Sequence, residues 1–190
     1  QGATKDLIKK HYNSLTLGNE LKPDSVLDQA LSQKYVAETG DDTMPQISLN
    51  EADEILKFAG ENKIPVRGHV LVWHSQTPDW FFKENFDPNG AWVSKDKMTK
   101  RLENYIKTVM ETLKKDYPDV EFYAWDVVNE AASDAGTIRD AGSNNEVNGQ
   151  SAWVKVYGDQ SYIPLAFEFA KKYAPAGCKL YYNDFNEYMP

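Results

Sequence analysis

Four apolar runs alternate with three segments of helical periodicity along the chain. The runs are rich in β-branched and aromatic residues, which favour strands, and they occupy residues 13–18, 64–73, 120–128 and 178–184. Alternating strands and helices are typical of a parallel sheet, and near-continuous apolar runs fit strands buried on both faces. The sequence therefore predicts a parallel α/β fold, and its 190 residues fit a single domain.

The three intervening helices are predicted from spacing and capping residues. Ser48 and Glu51 are spaced as a capping box, which predicts that a helix begins there. A second helix has an apolar residue every three or four positions between Met98 and Leu113. A third helix begins near Pro164. Its predicted apolar stripe consists of Ile163, Phe167, Ala170 and Ala174.

Three further segments complete the expected organisation. Residues 4–12 are predicted to be the end of another helix, and long loops are predicted at residues 19–47 and 131–161. Both loops leave the carboxyl ends of predicted strands, where parallel α/β proteins build their functional sites.

Composition excludes several classes of function. The net charge of −8 disfavours nucleic acids and acidic membranes as partners, and no apolar run approaches the roughly 18 residues of a membrane span. Cys178 is the single cysteine, so no internal disulfide can form. The chain has neither a glycine-rich phosphate-binding motif nor a GxSxG motif, and its three histidines lack metal-ligand spacing. We therefore expect no cofactor and no metal.

Polar side chains gather where the predicted strands end. Strand alternation places Arg67, His69, Leu71 and Trp73 on one face of the second strand, and Asp126, Val128 and Glu130 on one face of the third. A buried Asp needs a partner, and His69 on the neighbouring strand is the candidate for Asp126.

The first and fourth strands also end in polar residues, in the stretches GNELK and YYNDFNE. Because the carboxyl ends of parallel strands meet at one edge, these groups are expected to form a site in which Glu130 is a general acid. Each residue also has a non-functional explanation. His69 could be a hydrogen-bonded histidine of the core, and Glu130 could be the polar end of a strand.

Four motifs resemble one family closely. The stretches RGHVLVWHSQTPDWF, WDVVNEA, NELKPD and LYYNDFN are similar, in this order and spacing, to those of the family 10 glycoside hydrolases, the endo-β-1,4-xylanases. The resemblance covers essentially the whole chain. It implies a (β/α)₈ TIM barrel and retaining hydrolysis of xylan by two carboxyl groups roughly 5–5.5 Å apart.

The resemblance also implies roles for individual residues. Glu130 matches the acid/base, Asn129 matches the contact to the sugar 2-hydroxyl, and Asp126 is expected to support His69. The residues matching contacts to xylose units on the non-reducing side of the cleaved bond are Asn19, Lys22, His69, Trp73 and Gln76. The residues matching the fifth strand's contribution to the cleft are Asn183, Asp184 and Asn186. The expected partners are xylan and xylo-oligosaccharides, and the expected location is extracellular.

The chain departs from the family pattern in two ways. Gly18 stands where the family often has Glu, which puts one contact to a distal xylose in doubt. The four strands correspond to barrel strands two to five, so we expect residues 1–190 to supply about half of a catalytic domain. The nucleophilic Glu and the remaining strands are expected in another chain or in a segment beyond this one.

Two other functions fit the same residues. One is a non-catalytic half-barrel that binds xylan, and the other is a β-1,4-glucanase with the same mechanism. The expected inactivity of the 190-residue chain alone follows from the absence of the second carboxylate.

Overall fold

The computed structural model describes residues 2–144 and 149–185. The helices are α1 (Gly2–His11), α2 (Pro23–Val26), α3 (Gln29–Thr39), α4 (Asp53–Glu61), α5 (Lys95–Asp116), α6 (Ala152–Tyr157) and α7 (Tyr162–Tyr173). The strands are β1 (Leu15–Thr16), β2 (Leu27–Asp28), β3 (Gln46–Ile47), β4 (Val66–Trp73), β5 (Phe122–Asn129) and β6 (Lys179–Asn183). Two 3₁₀ turns lie at Asp79–Phe82 and Glu84–Phe86.

The main sheet has four parallel strands in the order β1-β4-β5-β6. The predicted parallel α/β fold is therefore confirmed, with the four strands in chain order. The first strand is only two residues long, shorter than the six-residue run that predicted it. A separate antiparallel pair, β2 and β3, lies within the segment predicted to be the first long loop.

Burial differs between the inner and outer strands. β4 and β5 are buried along most of their length, as the near-continuous apolar runs predicted. The prediction is wrong for β6, where Tyr181 and Tyr182 are 39% and 42% exposed. The reason is position, because β6 lies at an edge of the sheet and has a paired strand on one side only.

Helix α5 supplies the longest apolar stripe of the core. Ser94 caps the helix by accepting a hydrogen bond from the Lys97 N–H. The predicted stripe is confirmed, because every apolar residue assigned to it is buried. Those residues are Met98, Leu102, Ile106, Val109, Met110 and Leu113.

The stripe predicted for α7 is only partly right. Ala170 is buried, but Tyr162 and Phe169 occupy the inner face in place of Ile163 and Phe167, which are partly buried at its flanks. Tyr162 stacks on the buried Trp153 with 5.6 Å between ring centroids. The buried face of α7 therefore differs from the one that spacing alone indicated.

The capping box predicted at Ser48 is wrong. The Ser48 N–H donates to the carbonyl of Val26, the last residue of α2, so a tertiary contact holds this residue and not a capping box. Residues 50–52 form a turn, and α4 begins at Asp53 without a side-chain cap.

Both predicted long loops contain helices. The segment at residues 19–47 includes α3, in which Ser32 is the only fully buried residue, so the helix has no buried apolar stripe by which sequence could reveal it. The segment at residues 131–161 includes α6. In the described part of the chain, no helix combines the length and apolarity needed to cross a membrane.

Candidate active site

Three strand ends lie side by side at the carboxyl edge of the sheet. Trp73 ends β4 and pairs with Asn129 at the end of β5, which pairs with Asn183 at the end of β6. The Asn183 Nδ2 donates to Asn129 Oδ1 at 2.7 Å, which fixes the orientation of the buried Asn129 amide. The predicted convergence of polar residues at these strand ends is therefore confirmed.

Glu130 follows β5 directly and is held at three points. Its N–H donates to the Asn183 carbonyl at 2.8 Å, and its own carbonyl accepts from Arg139 Nε at 2.6 Å. Its carboxylate accepts a hydrogen bond from Trp73 Nε1 at 2.8 Å. The half-buried side chain is thus fixed in direction while it borders the cleft described below.

Asp126 lies beneath this edge and is 3% exposed. Arg67 Nε donates to one carboxylate oxygen at 3.0 Å, and His69 Nδ1 lies 2.9 Å from the other. Burial by itself raises the pKa of Asp126, but the hydrogen bonds from His69 and Arg67 outweigh it and hold the pKa below its usual value. Because an ionised carboxylate only accepts hydrogen bonds, Nδ1 is the donor and Nε2 is the ring nitrogen left for a ligand.

The face alternation predicted for these strands holds only in part. Leu71 and Val128 belong to the hydrophobic core and do not share the site with the polar residues. The register between β4 and β5 shifts between His69 and Val72, and the register between β5 and β6 shifts between Asp126 and Val128. These shifts interrupt the two-residue period on which the prediction depended.

Lys22 organises a second group of polar side chains beside Trp73. Its ammonium donates to Asn19 Oδ1 at 2.8 Å and to Gln76 Oε1 at 2.6 Å. The same nitrogen lies 5.1 Å from the centroid of the Trp73 ring, within range of a cation–π contact. The structure thus brings together four of the five residues predicted to contact sugars on the non-reducing side. Amide groups next to an aromatic face can bind hydroxyl-rich ligands.

A cleft of about 580 Å³ opens beside Glu130. One wall is formed by Trp73 and the two residues after it, and the other by the segment that follows β5. The lining residues contributed by that segment include Ser133, Asp134, Thr137, Ile138, Arg139 and Asp140. Within the described ranges, no three His, Cys, Asp or Glu side chains are grouped as a metal site would require.

The end of β6 is tied to the segment after Glu130. The Tyr182 hydroxyl accepts from the Ala131 N–H at 3.1 Å and donates to the Asp184 carboxylate. Burial and the hydrogen bond to Asp184 both raise the pKa of Tyr182. Asp184 therefore lies near the site edge as predicted, whereas Asn186 lies outside the described residues.

Sequence reasoning missed three residues that hold this site together. Arg67 shares the inward face with His69, so strand alternation carried the signal for its contact with Asp126. Arg139 and Tyr182 had no such signal, because their contacts depend on how the segment after β5 folds back onto the strand ends.

Comparison with known proteins identifies similar chains. The model of glycosyl hydrolase family 10 matches residues 1–190. The bifunctional endo-1,4-beta-xylanase XylA of Ruminococcus flavefaciens is 52% identical over 97% of this chain, and this chain covers 18% of that protein. Endo-1,4-beta-xylanase Y of Acetivibrio thermocellus is also 52% identical over 97% of this chain, which covers 17% of it.

Solved structures show the same similarity. The CBM22-1–GH10 modules of Clostridium thermocellum endo-1,4-beta-D-xylanase 10B, complexed with xylohexaose, match 99% of this chain with a TM-score of 0.90 and 49% identity. An endo-1,4-beta-xylanase from Caldicellulosiruptor owensensis matches 100% of it with a TM-score of 0.74 and 36% identity. This chain covers 36% and 48% of those two chains, so it spans less than half the length of each relative described here.

Proposed function

Because the chain belongs to glycosyl hydrolase family 10, we propose that it is the part of an endo-1,4-β-xylanase that carries the general acid/base, Glu130. The whole protein would cleave internal β-1,4-xylosidic bonds in xylan and xylo-oligosaccharides. The observation that carries this proposal is the placement of Glu130, a half-buried carboxylate fixed by Trp73 Nε1 at the border of a cleft.

The proposed reaction retains anomeric configuration and uses two carboxyl groups. Glu130 gives its proton to the glycosidic oxygen while the second carboxylate attacks the anomeric carbon, which forms a glycosyl-enzyme intermediate. Glu130 then takes a proton from a water molecule as that water attacks the anomeric carbon, and the bond from this carbon to the second carboxylate breaks and frees the sugar. Asp126 is a poor candidate for the second carboxylate, because Arg67 and His69 occupy both its oxygens. We therefore assign the nucleophile to the remainder of the barrel.

The polar residues around Trp73 support a role in holding the sugar chain. We propose that Asn19, Lys22 and Gln76 bind xylose hydroxyls on the non-reducing side, with the Trp73 ring beside them. His69 and Asn129 would contact the xylose at the cleavage point. Asn183, at the end of β6, is proposed as a further contact to the sugar. Asn186, which lies outside the described residues, is proposed for the same role from the family resemblance.

The remaining part of the barrel is the second proposed partner. β6 offers a strand edge whose tyrosines are partly exposed, and such an edge needs a neighbouring strand. Secretion is proposed from the family resemblance, because xylan is an extracellular polymer.

Substitution of Glu130 tests the proposal. In the full-length protein, Glu130→Ala should lower kcat/KM on unsubstituted xylo-oligosaccharides by about 10²–10⁴-fold, because general acid catalysis contributes that much. An aryl xylobioside with a nitrophenolate leaving group needs little protonation, so its kcat/KM should fall far less. The matched control is Glu111→Ala, an exposed glutamate on α5. Equal losses on both substrates would show that Glu130 is not the acid.

A non-catalytic xylan-binding function is the second candidate. It is favoured by the Lys22 group, which lies wholly within this chain. Product formation from xylohexaose by the full-length protein would exclude it. Comparing xylo-oligosaccharides with cello-oligosaccharides would decide between xylan and β-1,4-glucan, and the names of the relatives favour xylan.

A further inference from the structure

We propose that Arg139 is a positioning residue that fixes the direction of the Glu130 side chain by holding the Glu130 backbone carbonyl. This inference depends on the proposed role of Glu130 as the acid. Arg139 is 7% exposed and belongs to the segment that lines the cleft after β5. Its Nε donates to the Glu130 carbonyl at 2.6 Å, which is short for an N–H···O bond.

The backbone at Glu130 needs such support. Glu130 has φ of +50°, in the left-handed region that residues other than glycine seldom adopt. Such a conformation persists only where the surroundings impose it. The Asn183 carbonyl holds the N–H side of this peptide and Arg139 holds the carbonyl side, so the two contacts together determine where the side chain leaves the strand end.

A second contact fixes Arg139 itself. Its Nη1 donates to the Gly149 carbonyl at 3.3 Å, and Gly149 has φ of +62°. A Cβ at Gly149 would lie 2.8 Å from Arg139 Nη1, closer than van der Waals contact allows. The guanidinium therefore joins the backbone of the cleft wall to the backbone of the proton donor.

The consequence for catalysis is geometric. A general acid must lie within about 2.6–3.2 Å of the oxygen that it protonates, and a shift near 1 Å costs about 100-fold in rate. In this proposal Arg139 acts through the Glu130 backbone and does not handle the transferred proton. Its loss should therefore weaken protonation of the leaving group rather than binding of the sugar.

The test uses Arg139→Met and Arg139→Lys in the full-length protein. Met removes the donors and keeps an unbranched side chain, whereas Lys keeps the charge and one donor. We expect Arg139→Met to lower kcat on xylohexaose by about 10–100-fold with KM changed by less than about threefold. For the nitrophenyl xylobioside, kcat/KM should fall much less, and Arg139→Lys should recover part of the loss on xylohexaose.

The matched control is Arg101→Met. Arg101 is also buried and also donates to backbone carbonyls, those of Asp42, Phe81 and Lys83, but it lies on the core face of α5. Its loss should lower the unfolding midpoint and reduce turnover of both substrates by the same factor.

Equal loss on the two substrates in Arg139→Met would overturn the proposal. If Arg139→Met does not fold, Arg139→Lys decides, because it too must lose more on xylohexaose than on the activated substrate. Gly149→Ala should show the same substrate dependence, because its Cβ displaces the guanidinium, although it also strains a backbone with φ of +62°. Failure of Glu130→Ala to show leaving-group dependence would refute the proposed function, whereas failure confined to the Arg139 variants would refute this inference alone.

Discussion

Asp126 illustrates how one buried charge is tolerated because two neighbours share it. Its carboxylate is almost fully buried, yet Arg67 and His69 each donate to it from the adjacent strand. The Arg67 guanidinium also lies 5.0 Å from the Tyr181 ring centroid, so the group extends across three strands of the sheet. Removing the charge at the centre would leave Arg67 without its counter-ion.

Asp126→Asn should therefore destabilise the full-length protein by about 3 kcal/mol at pH 7, at the lower end for a broken buried pair because the Arg67 side chain is 32% exposed. The pKa of Asp126 is lowered in the folded state, so its stabilising contribution is present above the usual carboxyl pKa of about 4. That contribution is lost as the pH falls through the lower folded-state pKa.

Urea unfolding of the wild type and Asp126→Asn from pH 7 to pH 2 measures this difference. The gap between the two unfolding free energies should narrow as the medium becomes more acidic. The exposed Asp119→Asn is the control, and its unfolding free energy should stay near the wild-type value at every pH. A difference in unfolding free energy that widens at low pH would contradict a lowered pKa of Asp126 in the folded state.

At single positions, what sequence could predict depended on strand geometry. The contact between His69 and Asp126 followed from facing residues on neighbouring strands, and the structure confirms that contact. The contact from Arg139 to Glu130 could not be predicted, because the sequence after β5 has no pattern that shows how this segment folds back onto the strand ends. The catalytic and sugar-binding roles of these residues remain predictions.

At the level of elements, β4 and β5 pack closely because a glycine on β4 faces a tryptophan on β5. A Cβ at Gly68 would lie 2.2 Å from two ring carbons of Trp125, which is fully buried and stacks on Phe122. Only a residue without a side chain allows the indole to lie against β4. This close approach joins the two central strands below the site.

Gly68→Ala should destabilise the protein by about 3 kcal/mol, because the added methyl group would collide with the buried Trp125 ring. Gly18→Ala is the matched control, since no atom lies within 4 Å of the Cβ that it adds, and its effect should stay below about 0.5 kcal/mol. Chemical denaturation of the two variants measures the difference. Equal unfolding midpoints would show that the sheet adjusts to the extra methyl group.

Helices and strands were predictable from sequence where burial of one or both faces imposes a regular spacing of apolar residues. The α5 stripe and the strands β4 and β5 were predicted, because each buries one face or both. α3 was missed, since it buries little, and the capping box at Ser48 was wrong because a tertiary hydrogen bond to Val26 takes precedence over the local signal. Tertiary contacts thus decided the elements that local pattern did not.

For the whole molecule, the candidate site lies at the carboxyl edge of a sheet that is not closed into a barrel within the described part of this chain. The described strands place Glu130 and the Lys22 group along one edge, while β6 leaves one side of the sheet unpaired. Chain order and the parallel arrangement were predictable, because alternating strands and helices permit few other topologies. This chain covers 36% and 48% of two solved relatives, which agrees with a sheet that is part of a larger barrel.

A polypeptide of residues 1–190 alone should therefore release no product from xylohexaose, whereas the full-length protein should hydrolyse it. The proposed acid, Glu130, lies in this chain, but a glycosyl-enzyme intermediate needs a second carboxylate about 5–5.5 Å from it. Asp126 is held by Arg67 and His69, and the two oxygens of Asp184 accept hydrogen bonds from the Tyr182 hydroxyl and the Phe185 N–H. Both carboxylates are therefore poor candidates for the nucleophile. Chromatography of the products from both polypeptides at equal concentration is the measurement. Turnover by residues 1–190 that Asp184→Asn abolishes would move the nucleophile into this chain and replace the proposed division of the two carboxyl groups.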